Sequence, residues 1–243
     1  LLNFTADSVR AVSEWEKREM IKFFVRKNFI EVISNGIEDE AYLNVDELAS
    51  KDIKAKVQEL GDYIIQIGRV YKIKNYETTL RALAHLPKNI KYVITGPVEN
   101  QKYKEKLDRM ISELGLEGRV VFTGVIRGLD KYYLIKHARM MVHMAIWESF
   151  CNVVHEGMSQ GLPCIVADNT ALPFLIKNNV NGYVVETFND KELAEKIAFV
   201  IKNSGDEKIE AMRRKNREYG LMHSWKSVAE RMEAMYLKTK LSI

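Results

Sequence analysis

The sequence predicts an α/β fold with a Rossmann-like, doubly wound parallel sheet, and three observations support this prediction. First, six short apolar runs read as strands, at residues 63–67, 91–95, 119–123, 140–144, 163–167 and 182–186. Second, these runs are mostly continuous rather than alternating, as in strands that are buried on both faces of a parallel sheet. Third, helix-period segments separate them, which is the pattern of doubly wound folds.

The predicted helices carry end signals. In "NYETTLRALAHLP", apolar residues recur at spacings of four and three, with Asn75 as the expected N-cap and Pro87 as the stop. "QKYKEKLDRMISELGL" is amphipathic and is expected to end at Gly115. "DKELAEKIAFVIKNSG" is expected to begin at an N-cap, Asp190. Folds of this kind bind ligands at the carboxyl ends of their strands.

The two ends of the chain differ from its middle. Residues 1–45 contain one strand–helix–strand piece, which we interpret as the tail of a preceding domain with its linker. Residues 46–220 are the expected ligand-binding domain. Residues 221–243 are expected to form a helix with an apolar stripe of Trp225, Val228, Met232 and Tyr236. Because the chain begins with "LLNFTADSVRAVS", without methionine, we expect it to be a fragment.

Composition restricts the class of protein. The 243 residues are 47% hydrophobic and 29% charged, the balance of a globular domain. The net charge of +4 is mild, the lysines are scattered and no aromatic–basic platform is present, so we expect no nucleic-acid partner. The two cysteines have no metal-type spacing, which favours a reducing, cytoplasmic location. No apolar run approaches the roughly 20 residues of a membrane helix.

One candidate site follows the first run of the sheet. Gly68 permits a close approach of a ligand to the backbone, and Arg69 and Lys74 follow it. Two cations near a helix N-terminus favour an anion, because the free N–H groups add to their charge. The alternative is that both are solvated loop cations, and the residues by themselves leave the two interpretations open.

A second candidate site lies in "WESFCNVVHEGMSQGLP". Glu148 is expected at the carboxyl end of a strand, and Glu156 about one turn into a helix that begins near Asn152, the expected N-cap. The N–H groups of residues 151–154 would point into the crevice, and the carboxylates could accept hydrogen bonds from ligand hydroxyls. The alternative is that Glu148 caps locally and Glu156 lies on the helix surface.

Three other residues are less informative. His143 falls inside a predicted buried strand, where a core histidine with satisfied hydrogen bonds is the expected role. His155 lies beside Glu156 without an assigned role. Cys151 stands where a helix N-terminus would lower a thiol pKa, but no histidine is placed to activate it, so a packing role is expected.

Taken in order, "IGRVYKIKN", "VITG", "RVVFTG", "WESFCNVVHEGMSQGLPCIVAD" and "HSW" resemble the family 4 (group 1) retaining glycosyltransferases of the GT-B fold. The resemblance spans roughly residues 60–236, and "ADSVRAVSEWEKREM" and "VISNGIEDEAY" are similar to the segment that joins the two GT-B domains. It implies that this chain is the C-terminal, donor-binding half of an enzyme that transfers a sugar with retention of anomeric configuration.

The resemblance also implies roles for single residues. Arg69 and Lys74 match the pair that holds the diphosphate of a UDP-, GDP- or ADP-sugar, and with Glu148, near the reacting centre, they form the expected catalytic set. Cations there could stabilise the leaving diphosphate, so neither a metal nor a separate cofactor is expected. Glu156 matches the residue that holds the ribose hydroxyls. The segment after Gly124, around Ile126, is similar to the stretch that touches the base. The other expected donor-binding residues are Gly68, Ser149, Phe150, Cys151, Asn152 and Val153.

Departures from the family pattern keep an alternative open. Cys151 and Thr170-Ala171 replace usual glycines, and Phe174 replaces a usual glutamate. The chain could therefore be a nucleotide-sugar-binding module without catalysis, or a GT-B relative such as a nucleotide-sugar epimerase.

Other expectations concern partners and location. The saccharide or lipid-linked acceptor would bind an N-terminal domain that this sequence lacks, so we expect no transfer by this chain alone. Peripheral contact with the inner face of the membrane is a further expectation.

Overall fold

A strand–helix–strand unit begins the part of the chain that this computed structural model describes, residues 6–240. Strands β1 (Val9–Ala11) and β2 (Ile30–Val32) pair in parallel, and helix α1 (Glu14–Lys22) joins them. The predicted strand–helix–strand piece is confirmed. The outermost parts of the predicted N-terminal tail and C-terminal helix, residues 1–5 and 241–243, lie outside the described residues.

Six parallel strands form the main sheet, and all six predicted runs are confirmed. They are β3 (Tyr63–Ile67), β4 (Lys91–Thr95), β5 (Val120–Gly124), β6 (Met140–His143), β7 (Cys164–Ala167) and β8 (Gly182–Val185). Their spatial order is β5-β4-β3-β6-β7-β8. The chain starts in the middle, at β3, winds to one edge, and returns to β6 to wind to the other. This order is that of dinucleotide-binding folds, and it confirms the predicted class.

Helices flank the sheet. They are α2 (Val45–Leu48), α3 (Lys51–Leu60), α4 (Tyr76–Ala84), α5 (Gln101–Glu113), α6 (Gly128–Lys136), α7 (Asn152–Ser159), α8 (Leu172–Leu175), α9 (Asp190–Lys202), α10 (Glu207–Leu221) and α11 (Trp225–Lys240). Short 3₁₀ turns occur at Lys27–Phe29, Asp39–Tyr42 and Lys72–Lys74. All residues of β3, β6 and β7 are buried, as expected for strands covered on both faces. No helix among residues 6–240 combines the length and apolarity that crossing a membrane requires.

The predicted helix ends need two corrections. Asn75 precedes α4 as expected, but it has a left-handed backbone and its side chain does not cap the helix. Its side-chain amide donates to the carbonyl of Met144 instead, and its side-chain oxygen accepts from Thr78. Asn75 therefore links the loop that follows β3 to the loop that follows β6. The cap of α9 is Asn189 rather than Asp190, because the Asn189 side chain accepts from the backbone of Glu192.

The terminal helix α11 packs on β2, and the predicted stripe along it is partly wrong. Val228 and Met235 are buried with Ile33, and Met232 packs against them. Two other members of the expected stripe are exposed, Trp225 by 47% and Tyr236 by 60%. The covered face runs through Val228, Met232 and Met235, so the stripe is displaced from the predicted one rather than absent. The division into three segments stays a prediction.

Candidate functional site

The two predicted site segments meet at the topological switch point of the sheet. Gly68 follows β3 and Glu148 follows β6, and these two strands are neighbours from which the chain runs in opposite directions. Ligands of doubly wound folds bind in the crevice that such a divergence opens. The loops that follow β3 and β4 pack so closely that only glycine fits at position 96. A Cβ on Gly96 would lie 2.1 Å from the carbonyl oxygen of Gly68. Sequence analysis gave Gly96 no role, since one glycine at a strand end is a weak signal.

The centre of the site is a buried triad of charged and polar side chains. The Nζ of Lys74 lies 2.5 Å from Oε1 of Glu148, and Nε2 of His143 lies 2.8 Å from the same oxygen. The side chains of Lys74 and Glu148 are only 15% and 14% exposed, and His143 is fully buried. The structure therefore brings together Lys74 and Glu148, which stand far apart in the sequence.

The charge state of the triad follows from these contacts. Burial by itself would raise the pKa of Glu148, but the hydrogen bond from His143 and the ammonium of Lys74 outweigh it and lower the pKa to about 2. Burial lowers the pKa of His143, and the contact with Glu148 opposes that shift in part. The expectation of a satisfied core histidine is wrong in part: His143 is buried and contacts Glu148, but Nδ1 has no partner among the described residues.

His143, Glu148 and Cys151 place one potential metal ligand each within 4.8 Å of one another. The donor set does not suit a divalent ion. The ammonium of Lys74 already lies on the carboxylate where a cation would bind. Burial raises the pKa of the Cys151 thiol well above its usual range, whereas metal binding needs the thiolate. The arrangement is that of an ion pair supported by a histidine.

Arg69 points away from this triad. Its guanidinium lies 2.8 Å from the carboxylate of Glu99, in the loop after β4, and its side chain is 59% exposed. The structure therefore does not place Arg69 and Lys74 on one group. Exposed ion pairs contribute only about 0–1 kcal/mol, so an anion entering the crevice can compete for the guanidinium at little cost.

The segment before α7 has a specific backbone shape. Cys151, not Asn152, precedes the helix, and its φ of 79° is left-handed. The predicted cap at Asn152 is therefore wrong, and Asn152 is the first helical residue. A left-handed backbone explains why glycine is the usual residue there, since a side chain costs about 1–2 kcal/mol in that conformation. The thiol is buried, as the packing interpretation expects.

The linker after β2 and the start of α1 hold this segment from outside. The hydroxyl of Ser13 donates to the carbonyl of Ser149 at 2.6 Å, and the amide of Asn35 donates to Oδ1 of Asn152 at 2.9 Å. Phe150 is buried, and Val153 is partly buried against the main core. Two of the residues expected to touch a donor, Ser149 and Asn152, are therefore also held by contacts with Ser13 and Asn35.

The loop after β7 holds the backbone of Glu148. The hydroxyl of Thr170 accepts from the N–H of Glu148 at 3.0 Å, and the N–H of Ala171 donates to the carbonyl of Glu148 at 3.2 Å. Thr170 has a left-handed backbone, with φ of 48°. Phe174, also at a departure from the family pattern, lies beneath the guanidinium of Arg18 at 4.6 Å. Thr170, Ala171 and Phe174, which replace the usual family residues, thus make contacts that hold the loops around Glu148.

A second buried ion pair includes Glu156. Its Oε1 lies 3.2 Å from Nζ of Lys131, which also contacts Glu38 at 2.7 Å. Burial raises the pKa of Glu156, and Lys131 opposes the increase only in part. Oε2 of Glu156 is buried and has no partner among the described residues. The alternative that Glu156 lies on the helix surface is therefore wrong, and among the described residues its Oε2 is a buried acceptor without a donor.

Lys131 was missed by sequence analysis. It lies on α6, where its neighbours Tyr132, Leu134 and Ile135 are buried with it. A lysine on the buried face of an apolar helix is a signal that could have identified it, because lysine is rarely buried without a partner. Ile126 precedes this helix and is partly buried against the core, so the predicted base-contacting segment leads directly to the partner of Glu156.

His155 has an aromatic environment. Its ring lies 5.4 Å from Phe150, 5.6 Å from Tyr219 and 4.7 Å from His223, measured between ring centroids. Burial, with a smaller effect from His223, lowers its pKa to about 3, so the ring is neutral at physiological pH. These contacts indicate a packing role, and the structure brings His155 to neither ion pair.

A cavity of about 700 Å³ opens beside the site. Its lining includes Tyr71, Ile73, Ile146 and Phe188. Lys74 and Glu148 are not among the described residues that line it, so it adjoins the triad without containing it. The backbone joins the two, since the N–H of Ile146 donates to the carbonyl of Ile73 at 2.8 Å.

Comparison with known sequences gives a consistent result. The chain is 28% identical over 242 residues to an uncharacterized glycosyltransferase of Methanocaldococcus jannaschii, a match that covers 97% of this chain and 61% of the relative. It is 26% identical over 195 residues to an N-acetylgalactosaminyltransferase of Campylobacter jejuni that acts on a diphospho-undecaprenol-linked sugar, covering 79% of this chain and 50% of the relative. The chain thus spans about half to three fifths of these relatives' length.

Solved structures share the fold. The Anabaena HepE protein in complex with UDP superposes with a TM-score of 0.87 at 22% identity, covering 98% of this chain and 65% of HepE. A glycosyltransferase of Rickettsia africae gives a TM-score of 0.86 at 18% identity, covering 96% and 63%. The family model described as "Glycosyl transferases group 1" matches residues 50–219, which is most of the chain. The chain therefore belongs to the group 1 glycosyl transferases.

Proposed function

We propose that this chain forms the donor site of a retaining glycosyltransferase that moves a sugar from a nucleotide-sugar to a saccharide or lipid-linked acceptor. The observation that carries the proposal is the buried Lys74–Glu148–His143 triad at the switch point of a doubly wound sheet. Family membership supports the reaction class, and the UDP and UDP-glucose bound by HepE structures of the same fold support a UDP-sugar as the donor.

The diphosphate is proposed to bind between Lys74, Arg69 and the N-terminus of α7. Breaking the sugar–phosphate bond develops negative charge on the diphosphate, and a cation in a poorly hydrated crevice stabilises that charge strongly. Glu148 holds Lys74 in position. Arg69 can leave Glu99 for a ligand, because the ion pair between them is exposed and therefore weak. Both cations come from the loop after β3, so one ligand group can engage both.

The two glutamates are proposed to contact opposite ends of the donor. Both described contacts of Glu148 fall on Oε1, and a hydroxyl of the sugar near its reacting carbon would approach Oε2. Glu156 would accept from the ribose hydroxyls through its unpartnered Oε2. The segment around Ile126 would contact the base, because it leads into α6, which carries the lysine partner of Glu156.

Binding experiments test these roles. We expect calorimetric titration with UDP, GDP and ADP to show binding of one nucleotide, with UDP favoured. Glu156→Ala should weaken nucleotide binding by about 1–3 kcal/mol, the cost of leaving ligand hydroxyls without partners. Glu148→Ala should weaken binding of the nucleotide-sugar more than binding of the bare nucleotide. Lys104→Ala, which removes an exposed pair with Asp108 on α5, is the matched control.

Two results would contradict the assignment. Equal losses for nucleotide and nucleotide-sugar in Glu148→Ala would remove Glu148 from the sugar subsite. Binding that is unchanged in both glutamate variants would place the donor elsewhere. The non-catalytic alternative is tested separately, by assaying sugar transfer with the full-length gene product, and transfer there that is lost in Glu148→Ala supports catalysis.

A further inference from the structure

Two adjacent phenylalanines project into solvent where α1 ends. The side chains of Phe23 and Phe24 are 76% and 83% exposed, although large apolar residues are usually buried. The backbone closes the helix with bonds from Phe24 to Ile21 and from Val25 to Met20, and Phe24 is left-handed with φ of 65°. This closure usually has glycine at the left-handed position. A bulky aromatic residue is therefore held outward, against its backbone preference.

Basic residues surround the pair, so the expectations of scattered lysines and of no aromatic–basic platform do not hold at this end of α1. Lys22, Arg26 and Lys27 are exposed beside it. Between residues 17 and 27 the sequence has five basic residues and one acidic residue, so the local net charge equals the +4 of the whole chain. The acidic residue, Glu19, contacts Lys22 at 2.6 Å on the exposed surface, where such a pair is weak. The guanidinium of Arg26 stacks over Phe29 at 4.2 Å and keeps its charge.

We propose that this basic aromatic tip (Lys22, Phe23, Phe24, Arg26 and Lys27) docks on an anionic lipid surface. The two rings would enter the interface between headgroups and acyl chains, and the cations would contact the headgroup phosphates. Lipid binding of this kind needs two signals, one apolar and one basic, and the tip has both. The three exposed cations complement an anionic headgroup layer, and this charge complementarity selects lipid as the occupant.

The tip and the donor site lie at opposite ends of one rigid element. Ser13, which caps the start of α1, donates to Ser149 in the segment before α7. The helix is nine residues long, so the tip lies roughly 15 Å from this contact. Docking would thus hold the site near the lipid surface, within reach of a lipid-linked acceptor. The inference rests on surface chemistry and does not depend on the transferase activity.

Vesicle flotation tests the proposal with the chain as it stands. We expect binding to vesicles of mixed phosphatidylcholine and phosphatidylglycerol, and little binding to phosphatidylcholine alone. Replacing both rings, in Phe23→Ser/Phe24→Ser, should reduce the partition coefficient by at least about tenfold. Reversing two charges, in Arg26→Glu/Lys27→Glu, should also reduce it by at least about tenfold, and added salt should do the same.

Matched controls test whether any exposed phenylalanine or any pair of exposed lysines would have the same effect on vesicle binding. Phe188→Ser removes another exposed, left-handed phenylalanine, and Lys191→Glu/Lys202→Glu reverses two exposed charges on α9. Neither should change binding, and thermal melting would check that all variants fold. The proposal is overturned if the tip variants bind as wild type does. It is also overturned if the wild-type chain does not bind anionic vesicles, a result that would point to a protein partner for the tip.

Discussion

Glu148 and Glu156 have identical side chains and equal exposure, yet their surroundings shift their pKa values in opposite directions. Glu148 has two partners on one oxygen, and its pKa is lowered to about 2. Glu156 shares its lysine with Glu38 and has one buried oxygen without a partner, so burial raises its pKa. At the scale of the residue, Glu148 differs from Glu156 in having a hydrogen bond from His143 and a lysine that it does not share with a second carboxylate in the described contacts.

This difference predicts opposite effects of neutralising each glutamate. A depressed pKa contributes stability that is present above the unfolded pKa of about 4.5 and is lost as the pH falls through the folded value near 2. Glu148→Gln should therefore lower the free energy of unfolding at neutral pH by up to roughly 3 kcal/mol, and the deficit should shrink between about pH 5 and pH 2. Urea titrations of both proteins across this range measure it.

Glu156→Gln is the internal comparison for that experiment. Because the pKa of Glu156 is raised, its ionisation destabilises the fold as the pH rises above about 4.5. The variant should be at least as stable as wild type at neutral pH, and its advantage should disappear in acid. A constant deficit of Glu148→Gln at every pH, or a large loss in Glu156→Gln at neutral pH, would contradict the charge assignments.

At the scale of the element, the loop after β7 sets the position of the loop after β6. Thr170 and Ala171 hold the backbone of Glu148 on its N–H and on its carbonyl. Asn169 adds a bond from its amide to the carbonyl of Ala145 at 2.9 Å. The carboxylate of Glu148 is therefore aimed by a neighbouring strand's loop as well as by its own.

The Thr170 hydroxyl can be tested by a pair of substitutions. Thr170→Ala removes the acceptor for the buried N–H of Glu148 and should lower the free energy of unfolding by about 1–3 kcal/mol. It should also weaken nucleotide-sugar binding. Thr170→Ser keeps the oxygen, so it should retain both properties. Chemical denaturation and calorimetry give the two readouts. Equal behaviour of the alanine and serine variants would show that the hydroxyl does not position Glu148.

At the scale of the whole molecule, the described chain has two hydrophobic clusters of very different size. The main cluster includes the sheet from β3 to β8, whereas the small one consists of Ile33, Val228 and Met235 with Met232 beside them. Three buried side chains stabilise a unit far less than the main core does. The N-terminal unit and α11 are therefore expected to depend on each other.

This size difference predicts separate opening. The amides of β1 and β2 should exchange with solvent deuterium through a partial unfolding of lower free energy than global unfolding, while those of β3 and β6 should be protected up to the global value. Met235→Ala should speed exchange in β1 and β2 and leave β3 unchanged. Hydrogen exchange with mass spectrometry resolves these segments. Equal protection of β1 and β3 would indicate a single cooperative unit.

Sequence-based predictions succeeded where a feature depends on one segment and failed where it depends on contacts between segments. The six strands were predictable because burial on both faces leaves a continuous apolar run, a property of each segment alone. The caps at Asn152 and Asp190 were wrong because neighbouring residues compete for the same position, and the outcome depends on the path of the incoming loop. The roles of single residues in binding a donor stay predictions, now attached to specific contacts in the structure.

By itself, the sequence determined the fold class, the order of strands and helices, and the segments that reach the switch point, because hydrophobic periodicity and the winding of parallel strands are local or topological rules. Which side chains meet depends on the tertiary structure. It paired Lys74 with Glu148 and His143, turned Arg69 to Glu99, and gave Glu156 a lysine from α6. Apart from the contact between His143 and Glu148, these contacts join residues at least 25 positions apart, and their geometry depends on how whole loops pack together.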